Sequence, residues 1–222
     1  MISIGLFRFD AAVADGLAGI GGELGRRRLV GCSCENLFMN LPDGVALRPL
    51  DMNRDPRGSF TEVFREEWDT GISPVQWNIV SSEAGTLRGV HVHIRHDDYL
   101  TTLRGQASVG LRDLRRGSPT EGMSALVELA EDPLTALLIP HGVAHGFYFA
   151  EPSLHLYGVT KYWDVGDELA CHWADPQLEI PWPALPTLVS ERDSTAPSLA
   201  ELLDELEPSQ PFRTQEPLVA SS

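Results

Sequence analysis

Hydrophobic and polar positions alternate in short runs along most of the chain. Phe60, Glu62 and Phe64 interleave with Thr61, Val63 and Arg65, and Val75, Trp77 and Ile79 with Gln76, Asn78 and Val80. His91 and His93 interleave with Val90, Val92 and Ile94, and His155, Tyr157 and Val159 with Leu154, Leu156 and Gly158. A period of two over four to eight residues, bounded by Gly, Pro and Asp, predicts strands. A succession of such runs from about Val45, with little helical pattern between them, predicts an all-β sandwich or barrel. Near the end the period changes. Leu199, Leu202, Leu203 and Leu206 fall at i, i+3, i+4 and i+7, the apolar stripe of one short helix. Ser198 followed by Glu201 forms a capping box at its start.

The flanks read differently. Residues 1–43 form an N-terminal extension whose Ala- and Gly-rich stretch, Ala11 to Gly25, suits a weak helix or a mobile arm. The polar, Pro-containing stretch 208–222 reads as a flexible tail. One β domain at 44–207 is left between them.

Composition narrows the function classes. A chain of 222 residues, 42% hydrophobic and 22% charged, can bury a sizeable core and is not wholly disordered. No run approaches the roughly 20 apolar residues that cross a bilayer. The first residues lack the basic start and apolar run of a signal peptide. A net charge of −15 repels nucleic-acid backbones and anionic lipid, so neither is an expected partner. Three cysteines give no disulfide framework and no zinc-ribbon spacing, which makes a reducing cytoplasm the default location. Lys161 is the single lysine among seventeen basic residues.

Four groups could carry chemistry. His91 and His93 point to one face of a strand, as Gln76 and Asn78 do on another. A β-barrel with a polar inner face is costly unless something binds there; the alternative is a solvent-facing side, against which Leu87 falls on the His face. Pro140 to Gly146 is a turn that presents His145 before the aromatic run Phe147, Tyr148, Phe149, although a buried His is more often structural. Tyr157 suits proton donation near a carbonyl, or plain packing. Asp193, after Ser190, suits a partner that orients a histidine, or a helix cap.

Taken in order, several strings resemble the dTDP-4-dehydrorhamnose 3,5-epimerase family, sugar-nucleotide enzymes built on a cupin-type β jelly roll. They are Asp55 to Glu62, Gln76 to Asn78, Gly85 to His91, Asp113 to Thr120, Ile139 to Phe147, Leu156-Tyr157, Thr160 to Tyr162, Trp173 to Pro176, Ile180 to Pro183 and Ser190 to Asp193. The resemblance implies a double-stranded β-helix with a short C-terminal helix, a nucleotide-sugar substrate, a homodimer with strands shared between subunits, and no metal or redox cofactor. It implies that His91 is the base removing a proton beside a 4-keto group, that Asp193 pairs with it, and that Tyr157 returns a proton to the opposite face. Arg57, Phe60, Glu62, Gln76, Asn78 and Arg88 match positions that line the sugar-nucleotide site, and His93, Tyr99, His145 and Tyr162 join them as substrate-binding candidates.

The strings also depart from the family pattern. A lysine proposed to stabilise the enolate oxygen is absent, and Tyr99 falls where it would be. His93 replaces a glutamine or similar residue and could serve if protonated. Val109 stands where many relatives have a buried Asp. These changes suit an altered substrate, inversion at C3 or C5 alone, or another reaction. Two competing readings follow. One is a metal-dependent cupin using His91, His93, Asp97 or Asp98, and His145. The other is a cupin that binds a sugar nucleotide without turnover.

Overall fold

The computed structural model describes residues 40–206 apart from Glu168. The expected extension at 1–43, except its last four residues, and the tail at 208–222 lie outside the described residues.

In chain order the strands are β1 (Ala46–Pro49), β2 (Met52–Asp55), β3 (Gly58–Thr61), β4 (Gln76–Ser82), β5 (Thr86–Val92), β6 (Asp98–Arg104), β7 (Gln106–Asp113) and β8 (Ser124–Ala130). Then follow β9 (Thr135–Ile139), β10 (Val143–Phe149), β11 (Ser153–Val159), β12 (Leu169–Ala170) and β13 (Leu188–Val189), with helices α1 (Glu191–Ser194) and α2 (Leu199–Leu206). One sheet has the order β1-β9-β6-β11-β4 and the other β12-β5-β10-β7-β8, with β13 added to β5; β2 and β3 form a separate hairpin. All pairings are antiparallel except β13 on β5. Apart from β7 and β8, the strands paired along each sheet order are not consecutive in the chain, as in a jelly roll. The all-β architecture agrees with the sequence pattern.

Alternation explains why the sheets stack. Leu100 of β6 and Leu137 and Ile139 of β9 meet Val109 and Leu111 of β7, Val127 and Leu129 of β8 and Phe149 of β10 in one buried cluster. Each outer face has its own cover. Val90 and Val92 of β5 pack with Cys171, Leu178 and the α2 leucines. On the other sheet Tyr99, Ala136 and Leu138 lie under Leu50, Phe64, Trp68 and Ile72.

The predicted helix is present with its capping box. The Ser198 amide and hydroxyl donate to Glu201 Oε2 at 2.8 and 2.7 Å, and the Glu201 amide donates to Ser198 Oγ at 3.3 Å. Leu199, Leu202 and Leu206 are buried, while Leu203 stays exposed. Leu202→Ala is expected to lower unfolding free energy by about 2–5 kcal/mol, read as a lower urea midpoint with unchanged slope.

The strand expected over 60–65 stops early, since β3 ends at Thr61. Arg65 turns back to pair with Glu62 and Glu67, and Phe64 inserts against Trp68, Trp77 and Tyr99. Local ion pairs and an aromatic cluster thus override the alternation. In β4 the pattern is inverted relative to a simple core strand. Gln76, Asn78 and Val80 face the space between the sheets, whereas Trp77 and Ile79 of this edge strand are 38% and 66% exposed, and Val75 just before it is 51% exposed.

Candidate active site

Between the two sheets lies a cavity of about 430 Å³, walled by residues of β4, β5, β6, β10 and β11 and by the segment 188–193. Its size suits a small molecule. Two local devices shape it. The first is a bulge in β5, where His145 pairs with His91 but Phe147 pairs with Arg88. The extra residue shifts the parity of the strand, so Arg88 rather than Leu87 shares the side of His91 and Phe147. Gly89 makes this possible. It has φ of +105°, and a Cβ there would lie 2.9 Å from Gly146 Cα and from the His145 carbonyl oxygen. The second device is α1, a single turn capped by Ser190, whose hydroxyl accepts from the Asp193 amide at 3.1 Å. It delivers Asp193 to the cavity.

His91 and Asp193 meet there. The His91 Nε2 to Asp193 Oδ1 distance is 2.8 Å, and the Gly89 amide donates to Asp193 Oδ2 at 3.3 Å. Asp193 is buried, which raises its carboxyl pKa, but the His91 hydrogen bond and charge and the Gly89 and Ser190 donors outweigh burial and hold it below the usual range. The carboxylate therefore stays ionised and fixes the orientation of the imidazole. The cap alternative for Asp193 is not what its side chain does. The cap is Ser190, and the carboxylate serves His91.

Tyr157 lines the same cavity from β11, on the sheet opposite β5. His91 and Tyr157 thus occupy facing walls. Around them stand Gln76, which donates to Asn78 Oδ1 at 3.0 Å and accepts from the Trp163 amide at 3.1 Å, and Arg88, which donates to Ser82 Oγ at 3.0 Å and to the Ser81 carbonyl at 3.2 Å. His145 is 4% exposed, in the cavity wall. Burial pushes its pKa far down, and burial with the neighbouring His96 pushes His93 down to about 4. His93 is therefore neutral near pH 7 and does not supply the cationic substitute for the missing lysine.

Several sequence candidates lie elsewhere. Tyr99 faces the outer side of its sheet, where its hydroxyl donates to the Val63 carbonyl at 2.6 Å and its ring packs against Phe64 and Trp77. Burial pushes its phenol up to about 12. The β6 side chain that reaches the cavity is its neighbour Asp98, because adjacent strand residues point to opposite faces. Arg57 pairs with Asp55, Glu62 pairs with Arg65, and Phe60 is 65% exposed, all on or beside the β2–β3 hairpin and away from the cavity wall. Tyr162 is exposed, and Trp163 beside it lines the cavity instead. Asp97 accepts from the His141 amide and ring at 2.8 Å, outside the cavity. Val109 is fully buried in the core between the sheets. Alternation within the β5–β6 connection could not reveal His96, which also lines the cavity.

His155 illustrates the energetic cost of the polar lining. It is 3% exposed, its Nδ1 has no hydrogen-bond partner, and its ring stacks 5.4 Å from Phe147 and 5.3 Å from Phe149. Burial, then the charge of Arg88, pushes its pKa down to about 4. The folded pKa lies below the unfolded one, so the unfolded chain takes up the proton first as pH falls. The stability linked to this group is complete above about pH 6.5 and is lost progressively toward pH 4. His155→Phe is expected to remove that loss, gaining on the order of 2–3 kcal/mol relative to wild type between pH 7 and pH 4 in urea titrations.

Among the described residues no helix is long and apolar enough to cross a membrane. The model of the dTDP-4-dehydrorhamnose 3,5-epimerase family matches residues 39–201. A dTDP-4-dehydrorhamnose 3,5-epimerase of Sinorhizobium fredii is 37% identical over 160 residues, covering 67% of this chain and 81% of that protein. Among solved structures, a 4-keto-6-deoxy sugar epimerase from the novobiocin cluster of Streptomyces spheroides is similar with a TM-score of 0.69 and 29% identity, covering 74% of this chain and 87% of that one. A dTDP-6-deoxy-D-glucose-3,5-epimerase of Legionella pneumophila, solved with dTDP-4-keto-L-rhamnose, gives a TM-score of 0.67 and 33% identity, covering 72% and 92%. With the jelly roll and the match over most of its length, the chain belongs to the dTDP-4-dehydrorhamnose 3,5-epimerase family.

Proposed function

We propose that the protein epimerises a nucleotide-linked 4-keto-6-deoxyhexose at C3, at C5 or at both. The observation that carries this reading is the His91–Asp193 pair on one wall of the cavity with Tyr157 on the facing wall. His91 Nε2 is committed to Asp193, so Nδ1 is the nitrogen left to take a proton from the carbon beside the ketone. The C–H electron pair moves into an enolate. Tyr157 then delivers a proton to the opposite face, which inverts the centre, and exchange with water resets both groups. Asp193 stabilises the imidazolium that forms, through the same hydrogen bond that orients it. Gln76, Asn78 and Arg88 bind the sugar nucleotide, the guanidinium being suited to a diphosphate oxygen pair.

The reading includes a cytoplasmic homodimer. Two exposed features support the dimer: the apolar outer side of edge strand β4, and the β2–β3 hairpin with Arg57 and Phe60. A hairpin away from its own cavity suits a role in a second copy's site, as strand sharing in the family implies.

The test is proton NMR of dTDP-4-keto-6-deoxyglucose incubated with the protein in D₂O. Deuterium entering both C3 and C5 supports a double epimerase, and entry at one carbon a single-centre enzyme. Binding without exchange at either would overturn the reading for this substrate and favour a non-catalytic binder.

A further inference from the structure

Deep in the same cavity three imidazoles converge on one carboxylate. His93 Nε2 lies 4.0 Å and His145 Nε2 3.9 Å from Asp98 Oδ2, and His96 Nε2 lies 4.0 Å from Asp98 Oδ1. All four residues are buried. The separations are too long for direct hydrogen bonds. They match a different arrangement, since two donors each about 2.1 Å from a common ion lie at most about 4.2 Å apart.

The opposite nitrogen of each ring is already held. His96 Nδ1 is 2.7 Å from Asp167 Oδ2, His93 Nδ1 is 3.2 Å from the Asp167 carbonyl, and His145 Nδ1 is 3.2 Å from the Val143 carbonyl. Those oxygens accept, so each Nδ1 carries a proton and Nε2 is the nitrogen that faces the carboxylate. Anchoring the remote N–H on a carbonyl or carboxylate is how metal-binding histidines are oriented. Asp167 is fixed in turn, its Oδ1 accepting from the Ile94 amide at 2.9 Å. Within the cluster, one donor atom from each of His93, His96 and Asp98 falls within 4.8 Å of the others.

We propose that His93, His96 and Asp98 form a binding site for one first-row divalent transition metal ion, with His145 beside it. The ligand set differs from the one the sequence suggested. His96 replaces His91, which is committed to Asp193, and Asp98 is chosen over Asp97, which is bonded to His141. Two imidazoles and one carboxylate favour zinc, iron, cobalt or nickel over magnesium or calcium. An ion there brings positive charge into a cavity whose family lysine is absent. Binding of the ion does not depend on the epimerase reading.

The test uses the full-length protein, treated with EDTA, dialysed and titrated with Co²⁺ while the visible d–d absorption is followed. The site predicts saturation at one Co²⁺ per chain, displacement by Zn²⁺, and at least 100-fold weaker binding in His96→Gln and in Asp98→Asn. The control His141→Ala, outside the cavity, retains wild-type binding. Circular dichroism identifies any variant that fails to fold, and the wild-type titration decides the matter in that case. No saturable uptake by wild type, or uptake unchanged in folded His96→Gln and Asp98→Asn, would overturn the proposal. Deuterium exchange on metal-depleted and reloaded protein is scored separately, so failure of the epimerase reading leaves the metal result standing.

Discussion

His91→Gln is expected to lower deuterium exchange and turnover by about 10²–10⁴-fold, the range for loss of a positioned general base. The glutamine amide nitrogen replaces His91 Nε2, which now lies 2.8 Å from Asp193 Oδ1, so the carboxylate is not left buried without a partner. His91 lies in the cavity wall rather than in the apolar core, and the variant should melt within a few degrees of wild type. Loss of activity with retained stability and retained nucleotide binding assigns the defect to proton transfer. A variant that exchanges substrate protons at the wild-type rate would remove His91 from the chemistry.

The largest expected effect on stability comes from a residue outside the cavity. Asp113 has a fully buried side chain and accepts from the Arg115 amide at 3.0 Å, Arg115 Nε and Nη2 at 2.8 Å each, and the Ser118 and Thr120 hydroxyls at 2.7 Å each. Burial raises its pKa, yet the Arg115, Ser118 and Thr120 donors prevail and hold it below the usual range. Asp113→Ala leaves five donors without their acceptor and Arg115 without its counter-charge. A loss of about 3–5 kcal/mol follows, measured by urea unfolding near pH 7. The folded pKa of Asp113 is depressed, so its contribution is present above about pH 4 and fades as pH falls through the folded value. The gap between wild type and variant should therefore narrow in acid. Substrate exchange per folded molecule should be unchanged, because Asp113 organises the turn 113–122 rather than the cavity.

Much of the site was legible in the sequence because strands announce which residues share a face. Gln76 with Asn78, and His91 with His93, were grouped by spacing alone, and the resemblance joined Asp193 to them across the fold. Alternation failed where one residue of offset matters. A slip of one position exchanges the two faces of a strand, which is why Tyr99 was placed where Asp98 stands. The β5 bulge did the same to Leu87 and Arg88. His96 was missed because it lies in the β5–β6 connection, where no periodicity reports direction. Arg57, Phe60 and Glu62 lie on or beside one hairpin, and its distance from the cavity of its own chain is a tertiary property that no local pattern encodes.

Asp193 stands 102 residues after its partner and is carried by a segment that joins β5 through the parallel β13 and through the Gly89 amide. The order of synthesis follows from this. A chain leaving the ribosome has β4, β5, β6, β10 and β11 by residue 159, and with them His91, Tyr157 and the proposed metal ligands, before the acid that orients the base exists. Competence to invert a sugar is thus acquired late in synthesis. A premature stop between residues 160 and 190 would remove Asp193 together with the α2 leucines that cover Val90 and Val92, so the orientation of the base and the cover of the strand that bears it would be lost at once.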